Sequence, residues 1–416
     1  MTKIVVENSE ALHGTVRVSG SKNSALPVLA ATILSGGKNR IEQLPKLSDI
    51  TIMYELLDSI GARVDLDGHG AWVDCGRIKN DTAPYELVSK MRGSFLLAGP
   101  LLARHGHTRI SLPGGCPIGT RPIDLHLKGF EAMGAEITQG HGYIDVVGPE
   151  LHGAKIYLDF PSVGATENIM MAAVLAEGET ILENVAVEPE IVDLAEFLKS
   201  MGAKITGAGT DNIRITGVPE LHPANHKIIP DRIEAGTYMV AIAMTHGNAI
   251  IQNVNPAALT PITAKLREIG VTIQEGDECI MLDAQGELKP ADVKTLPFPG
   301  FPTDMQAPFT SLMSMIEGTS IIVETVFENR FLHVAELNRM GTKIKIDGRT
   351  AVIDGGHPLM GAQVKATDLR AGAALVLAGL IATGDTEIKE IEHIDRGYED
   401  IVGKLQKMGA RIERIQ

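Results

Sequence analysis

The sequence predicts an α/β protein made of repeated small units, with buried helices and sheet packed outside them. Three observations predict it. A short phrase recurs six times, with glycines at 61, 134, 202, 270, 341 and 409, in steps of 73, 68, 68, 71 and 68 residues. Each phrase reads as an apolar-periodic helix that stops at Gly and is followed by an alternating strand, as in Leu57-Asp58-Ser59-Ile60-Gly61-Ala62 and then Arg63-Val64-Asp65-Leu66. Upstream of each phrase lies a second helix of small residues, such as Met170-Met171-Ala172-Ala173-Val174-Leu175-Ala176-Glu177-Gly178. Aromatics make up only 4% of the chain, and glycine reaches 44 residues, which suits thin, closely packed layers.

Taken in order, the chain opens on strand-like residues, with Thr15-Val16-Arg17-Val18 leading to the turn Ser19-Gly20-Ser21-Lys22-Asn23 and a helix from Ser24. Six units of roughly 69 residues then account for its length, each alternating two helices with strands. That period is long for an open solenoid, so closed domains of three units each are expected. A chain of 416 residues also exceeds one ordinary core. The boundary is expected after the polar stretch His222-Pro223-Ala224-Asn225-His226, near Ile228-Ile229-Pro230-Asp231-Arg232, with a second crossover at Ser19-Gly20-Ser21-Lys22-Asn23.

The formal net charge of -14 argues against a general binder of nucleic acid or anionic membrane. Arginines focused on one cleft would still trap a small anion. Three cysteines, Cys75, Cys116 and Cys279, are sparse and odd in number, which suggests reduced thiols in a cytoplasmic setting. Neither they nor the histidines have metal-ligand spacing. The start of the chain lacks a signal-peptide profile, and the longest apolar run, Ala373 to Ala382, is too short to span a bilayer.

The densest special stretch runs from Pro113 to His126 (PGGCPIGTRPIDLH). Its glycines and prolines shape a loop that presents Cys116, and Arg121 stands where it would tune the thiol or hold an anion. The competing reading is a turn with an inward cysteine. Lys22-Asn23, at the start of a helix, forms a candidate phosphate or carboxylate site, against a solvated lysine. Arg92, Arg121, Arg330, Arg370 and Arg396 recur at loop-like places; singly each reads as a surface ion pair, together as an anion cleft. Asp304, in Phe301-Pro302-Thr303-Asp304-Met305-Gln306, is either a helix N-cap or a base. Glu188-Pro189-Glu190 and Asp231-Arg232-Ile233-Glu234 pose the same choice between caps and ligand contacts. Cys75 and Cys279 read as buried small apolar residues, and His126 as a core or loop histidine.

Placed together, these stretches resemble the UDP-N-acetylglucosamine enolpyruvyl transferases within the enolpyruvyl transferase family. The matching pieces include the Ser19-to-Asn23 turn, the cysteine loop, Pro161-Ser162-Val163-Gly164-Ala165-Thr166, Glu324-Thr325-Val326-Phe327-Glu328-Asn329-Arg330, Thr367-Asp368-Leu369-Arg370 and His393-Ile394-Asp395-Arg396-Gly397-Tyr398. The resemblance implies two inside-out α/β barrels of six βαβαββ repeats, three per domain, with one domain at about 1–20 plus 230–416 and the other at 21–229. It implies phosphoenolpyruvate and UDP-N-acetylglucosamine as substrates in an interdomain cleft, and a step of peptidoglycan synthesis. By position, Lys22, Arg121 and Arg396 would hold the phosphate of phosphoenolpyruvate, and Arg330 and Arg370 its carboxylate. Asn23, Arg92, Arg121, Pro122, Ile123, Asp124, Leu125, Ser162, Val163, Asp304 and Val326 would contact the sugar nucleotide. Cys116 would be the proton donor and Asp304 the base, with Lys22 and Arg396 completing the catalytic set. Some relatives carry a second lysine where Ser48 stands, which leaves Lys46 as the nearby cation. The resemblance implies no metal and no cofactor, allows a covalent phosphoenolpyruvate or pyruvate adduct on Cys116, and predicts a cytoplasmic monomer whose cysteine loop closes as a lid. The alternatives are the shikimate-pathway enolpyruvyl transferase and a non-catalytic paralogue.

Overall fold

The computed structural model describes residues 2–112, 118–119 and 122–415. Cys116 and Arg121 lie outside the described residues, as does most of the loop predicted to act as a lid. The chain divides into two compact units. One holds residues 2–19, 118–119 and 230–415, and the other holds residues 20–112 and 122–229. They are called the first and second unit below.

Each unit contains three four-stranded sheets of one design. In the sheet of Lys155–Tyr157, Glu179–Glu183, Asn212–Thr216 and Lys204–Thr206, the first pair is parallel and the other two are antiparallel. In chain order, the last two strands come as a hairpin folded back on the second. The spatial order is therefore first, second, fourth, third. The same pattern holds for Val293–Lys294, Gly318–Val323, Thr350–Gly355 and Lys343–Asp347 in the first unit. A parallel pair needs a crossover, and in these two sheets the helices Val163–Ala173 and Gln306–Met315 supply it.

The repeats are not all contiguous in sequence, contrary to the simple six-segment reading. The first strand beside Asn248–Gln252 is His13–Arg17, and the first strand beside Lys38–Glu42 is Asn225–Lys227. The sheet of Thr386–Lys389 and Ile412–Ile415 is completed by Lys3–Val6 from the other end of the chain. Strand pairing demands only the right edge and register, so distant segments serve as well as neighbours.

The six ladder glycines all have positive φ, at 102°, 95°, 106°, 112°, 102° and 99° in chain order. Each follows one of the outer helices, among them Ser48–Ser59, Pro189–Ser200 and Thr260–Ile269, where a side chain would be strained. The small-residue helices form the interior. Every residue from Ile233 to Met244 in helix Arg232–Met244 is buried, and helices Gln306–Met315 and Leu369–Gly379 are buried along nearly their whole length. In the second unit, helices Lys22–Ala31, Ala98–His105 and Val163–Ala173 take this place. Helix Thr260–Ile269, by contrast, buries only Ile262, Thr263, Leu266 and Ile269. Helices therefore sit inside and sheets outside within each unit. The strands alternate accordingly, with Ile280 and Leu282 inward and Met281 outward.

Candidate active site

In the first unit, Arg330, Arg370 and Asp304 meet at the starts of the buried helices Gln306–Met315 and Leu369–Gly379. Asp304 lies in the tight turn Thr303–Met305 just before helix Gln306–Met315. Neither helix start carries a side-chain cap, so the N-cap reading of Asp304 does not hold. Its Oδ1 instead accepts from Arg330 Nη2 at 2.6 Å, and its Oδ2 from Arg370 Nη2 at 2.9 Å. Both arginines are 4% exposed, so these are buried ion pairs in a setting where charge is costly to leave unmatched.

Arg330 ends the loop after strand Gly318–Val323. Its Nη1 donates to Thr303 Oγ1 at 2.9 Å, and its guanidinium lies over the Phe327 ring, 5.1 Å from the centroid. Arg370 is the second residue of helix Leu369–Gly379, whose N-cap Asp368 accepts from the backbone N–H groups of Arg370 and Ala371 at 2.9 and 3.0 Å. Burial works against its charge, but the Asp304 carboxylate and then the Tyr398 phenol hold it firmly cationic, and its guanidinium lies over the Tyr398 ring, 5.3 Å from the centroid. Arg330 Nε and Arg370 Nη1 are buried donors without a hydrogen-bond partner among the described residues. Two guanidinium donors left over from one ion network make this cluster the candidate anion site of the unit. Arg396 closes the turn Ile391–Arg396, which rests on the Arg370 helix at Gly372. A Cβ at 372 would come within 2.5 Å of Ile394, so the turn can approach only a glycine there. Ile118, next to the cysteine loop's undescribed stretch, accepts from the Asn329 N–H at 3.1 Å.

In the second unit, the predicted residues fall at helix starts. Lys22 is the first residue of helix Lys22–Ala31, with Asn23 beside it and Ser21 capping the N–H of Ser24. Lys22 Nζ reaches Asp49 Oδ2 at 3.4 Å, and both groups are largely buried. The solvated-lysine reading is thereby set aside. Lys46, the substitute cation, is exposed. Ser162 caps helix Val163–Ala173 by accepting from Ala165 N–H at 3.3 Å. Helix Asp124–Ala132 begins beside it. His126 packs under Gly164, where an added Cβ would lie 3.3 Å from its ring. The starts at Ile123–Asp124 and Ser162–Val163 are thus brought together, with Pro122 exposed and Leu125 half-buried.

His126 is a core histidine. Its Nδ1 accepts from Asn168 Nδ2 at 3.0 Å, and its ring meets Phe95 edge-on, 5.0 Å between centroids. Burial, and then the positive charge of Arg92, push its pKa down to about 3, so it is neutral. Arg92 opens the short turn Arg92–Leu97, half-buried near this cluster. Among the motif acids, Asp231 is a true cap, accepting from Ile233 and Glu234 N–H groups at 2.8 and 3.0 Å. Glu188 occupies an N-cap position without a side-chain cap bond, and Glu190 is buried in the following turn. Cys75 is buried, and burial raises its thiol pKa to about 11. Cys279 departs from expectation: it starts the strand Cys279–Asp283 half-exposed.

Sequence reasoning missed Glu324, Thr303 and Asp49 as site-shaping groups. Their motifs were visible, but only a fold shows that Thr303 meets Arg330, that Asp49 meets Lys22, and that Glu324 accepts from Thr303 behind that arginine. Among the described residues, no group of three His, Cys, Asp or Glu side chains is arranged to hold a metal ion, and no helix is long and apolar enough to cross a membrane.

The fold and this charged cluster define an enolpyruvyl transferase class. The family described as EPSP synthase (3-phosphoshikimate 1-carboxyvinyltransferase) matches residues 6–405, and the chain belongs to it. Among curated proteins, the chain is similar to UDP-N-acetylglucosamine 1-carboxyvinyltransferase 2 of Carboxydothermus hydrogenoformans, 58% identical over 100% of both chains. It is also similar to UDP-N-acetylglucosamine 1-carboxyvinyltransferase 1 of Caldanaerobacter subterraneus, 59% identical over 99% of each. Among solved structures, the enolpyruvyl transferase NikO from Streptomyces tendae superposes with a TM-score of 0.90 at 28% identity, covering 99% of this chain and 98% of that one. EPSP synthase from Acinetobacter baumannii shares the fold, with a TM-score of 0.77 at 20% identity over 100% of both chains.

Proposed function

We propose that this protein transfers the enolpyruvyl group of phosphoenolpyruvate to the 3-hydroxyl of UDP-N-acetylglucosamine and releases phosphate, the first committed step of peptidoglycan synthesis. Full-length relatives of this name support the choice of acceptor over shikimate 3-phosphate. The observation that carries the chemistry is the pair of unspent guanidinium donors on Arg330 and Arg370, a fit for the substrate carboxylate. Lys22, Arg121 and Arg396 are the proposed phosphate ligands. Asn23, Arg92, Arg121 to Leu125, Ser162, Val163, Asp304 and Val326 are the proposed sugar-nucleotide contacts. No cofactor or metal takes part. We place the enzyme in the cytoplasm as a monomer.

The reaction is addition followed by elimination. The thiol of Cys116 delivers its proton to the methylene carbon of phosphoenolpyruvate, and the neighbouring carbon becomes electron-poor. The sugar hydroxyl oxygen bonds to that carbon while Asp304 takes the hydroxyl proton. The adduct then loses a proton from its new methyl group to the Cys116 thiolate, and the C–O bond to phosphate breaks. The electron pair left on carbon restores the double bond. Fixed cations stabilise the phosphate and carboxylate charges without reorganising, and such fixed charges often supply most of an enzyme's rate enhancement. Cys116 can also bond to the same carbon as a resting adduct.

Phosphate release should follow addition of phosphoenolpyruvate with UDP-N-acetylglucosamine and not with shikimate 3-phosphate; the reverse preference would refute the assignment. Cys116→Ala should abolish that release, and full activity in this variant would remove Cys116 as the acid. A thiol-directed epoxide phosphonate should label Cys116 and leave Cys75, so peptide mapping that finds Cys279 modified first would count against the loop thiol.

A further inference from the structure

Glu324 is 1% exposed and has no part in the proposed reaction. It follows strand Gly318–Val323 and sits at the base of the loop that ends in Arg330. Its Oε1 accepts from Thr295 Oγ1 at 2.9 Å and from the backbone N–H groups of Val326 and Phe327 at 2.8 and 3.1 Å. Its Oε2 accepts from Thr303 Oγ1 at 2.8 Å. The Thr303 proton is therefore spent on Glu324, and its oxygen is left to accept Arg330 Nη1 at 2.9 Å. Thr295 braces the same loop again, since its Oγ1 accepts from Thr325 N–H at 2.9 Å.

We infer that Glu324 is a positioning residue that aims two substrate-binding elements through separate oxygens: Oε1 shapes the Val326–Phe327 backbone, and Oε2 orients Arg330 through Thr303. The inference rests on the proposed function, because it takes Val326 as a sugar-nucleotide contact and Arg330 as a ligand for the phosphoenolpyruvate carboxylate. The physical case lies in the direction of the hydrogen bonds. An anionic carboxylate is acceptor-only and can receive four donors at once. It forces the Thr303 hydroxyl to point one way, which in turn presents a lone pair to a buried guanidinium. An amide at this position keeps one oxygen for the loop but places N–H groups toward Thr303. The hydroxyl then loses its acceptor, and Arg330 meets a group with its proton redirected. The two halves of the device are separable by mutation.

The test compares Glu324→Gln, Thr303→Val, Thr303→Ser and Glu324→Ala in the full-length enzyme, with steady-state kinetics varied in each substrate and a thermal melt for each protein. Glu324→Gln and Thr303→Val should raise KM for phosphoenolpyruvate roughly 10- to 100-fold, the range for losing a hydrogen bond to a charged group. Their KM for UDP-N-acetylglucosamine should stay within about threefold of wild type, because the loop half is intact. Thr303→Ser keeps the hydroxyl and should restore wild-type values. Glu324→Ala should raise both constants. Equal effects on both substrates in Glu324→Gln and Thr303→Val, or a lowered melt with unchanged KM values, would overturn the inference and leave Glu324 as a structural brace. Should Glu324→Gln fail to fold, Thr303→Val reads the same relay and decides alone. Failure of the wild-type enzyme to turn over these substrates would refute the proposed function instead, a result distinct from any of these.

Discussion

The two units share one sheet design yet prepare their candidate residues by opposite means. In the first unit, Asp304, Arg330 and Arg370 form a buried charged network, with full charges fixed by one another and by Glu324 through Thr303. In the second, apart from the Lys22–Asp49 pair, the site residues are helix starts around a neutral histidine. The first arrangement suits a small, densely charged group that needs matched cations in a dry setting. The second presents helix N-termini, where backbone N–H groups favour an anionic or polar ligand group.

The largest blow to this contrast is Asp304→Ala. It leaves two buried guanidinium groups without their shared counter-ion, a loss that typically costs about 3–5 kcal/mol for a broken buried pair. Turnover should fall by about 10²–10⁴-fold, the range for removing a general base. Phosphate-release rates and a melting curve separate the two effects; a destabilised protein with normal turnover would reduce Asp304 to a counter-ion.

A smaller effect is expected from the neutral centre of the second unit. His126 has its pKa pushed down to about 3 by burial and then by Arg92, below the unfolded value near 6.5. The unfolded chain therefore binds a proton first as the solution is acidified. The stability that neutral His126 contributes is present above about pH 6.5 and is lost as pH falls toward 3. His126→Gln should flatten this acid slope in denaturant titrations, at some cost in stability near neutrality. An unchanged slope would show that the histidine is not neutral in the fold. His333 in the first unit is also buried and depressed to about 4, so the double variant serves as a control for additivity.

The smallest effect concerns His107, whose ring nitrogens lie 2.6 Å from Asp81 and 2.6 Å from Asp145. The hydrogen bond to Asp81 raises its pKa above the ordinary value, with Asp145 adding to the rise. Here the sign reverses: the contribution is full below the unfolded pKa and disappears as pH rises through the folded one. His107 is partly exposed, so solvent screening limits the effect to below about 1 kcal/mol. A pH-stability profile of His107→Gln should lose a shallow decline above neutrality that wild type shows; a wild-type profile in the variant would mean the two aspartates are satisfied by water.

The repeat, the helix stops and the inner small-residue helices were legible in the chain because each is a local constraint. A glycine at 61 or 409 can take the left-handed turn that ends a helix at little cost, and a helix of small apolar residues suits a buried place. The strand exchange was not legible. Nothing local tells His13–Arg17 to pair beside Asn248–Gln252, or Lys3–Val6 to close the sheet of Ile412–Ile415. The motifs likewise marked Asp304, Arg330 and Arg370 one at a time, each with an ordinary alternative. Whether Asp304 capped a helix depended on where two arginines from distant parts of the chain arrived, and Cys279 proved half-exposed because strand alternation, not composition, sets its face.

What the sequence by itself determined is the type and order of elements and the residues able to do chemistry, since propensity, capping and periodicity act over a few positions. What only the tertiary structure decided is which of those residues share a charge network, and that Glu324 joins them. Hydrogen-bond direction and burial depend on atoms brought together from across the chain, and no local pattern records them.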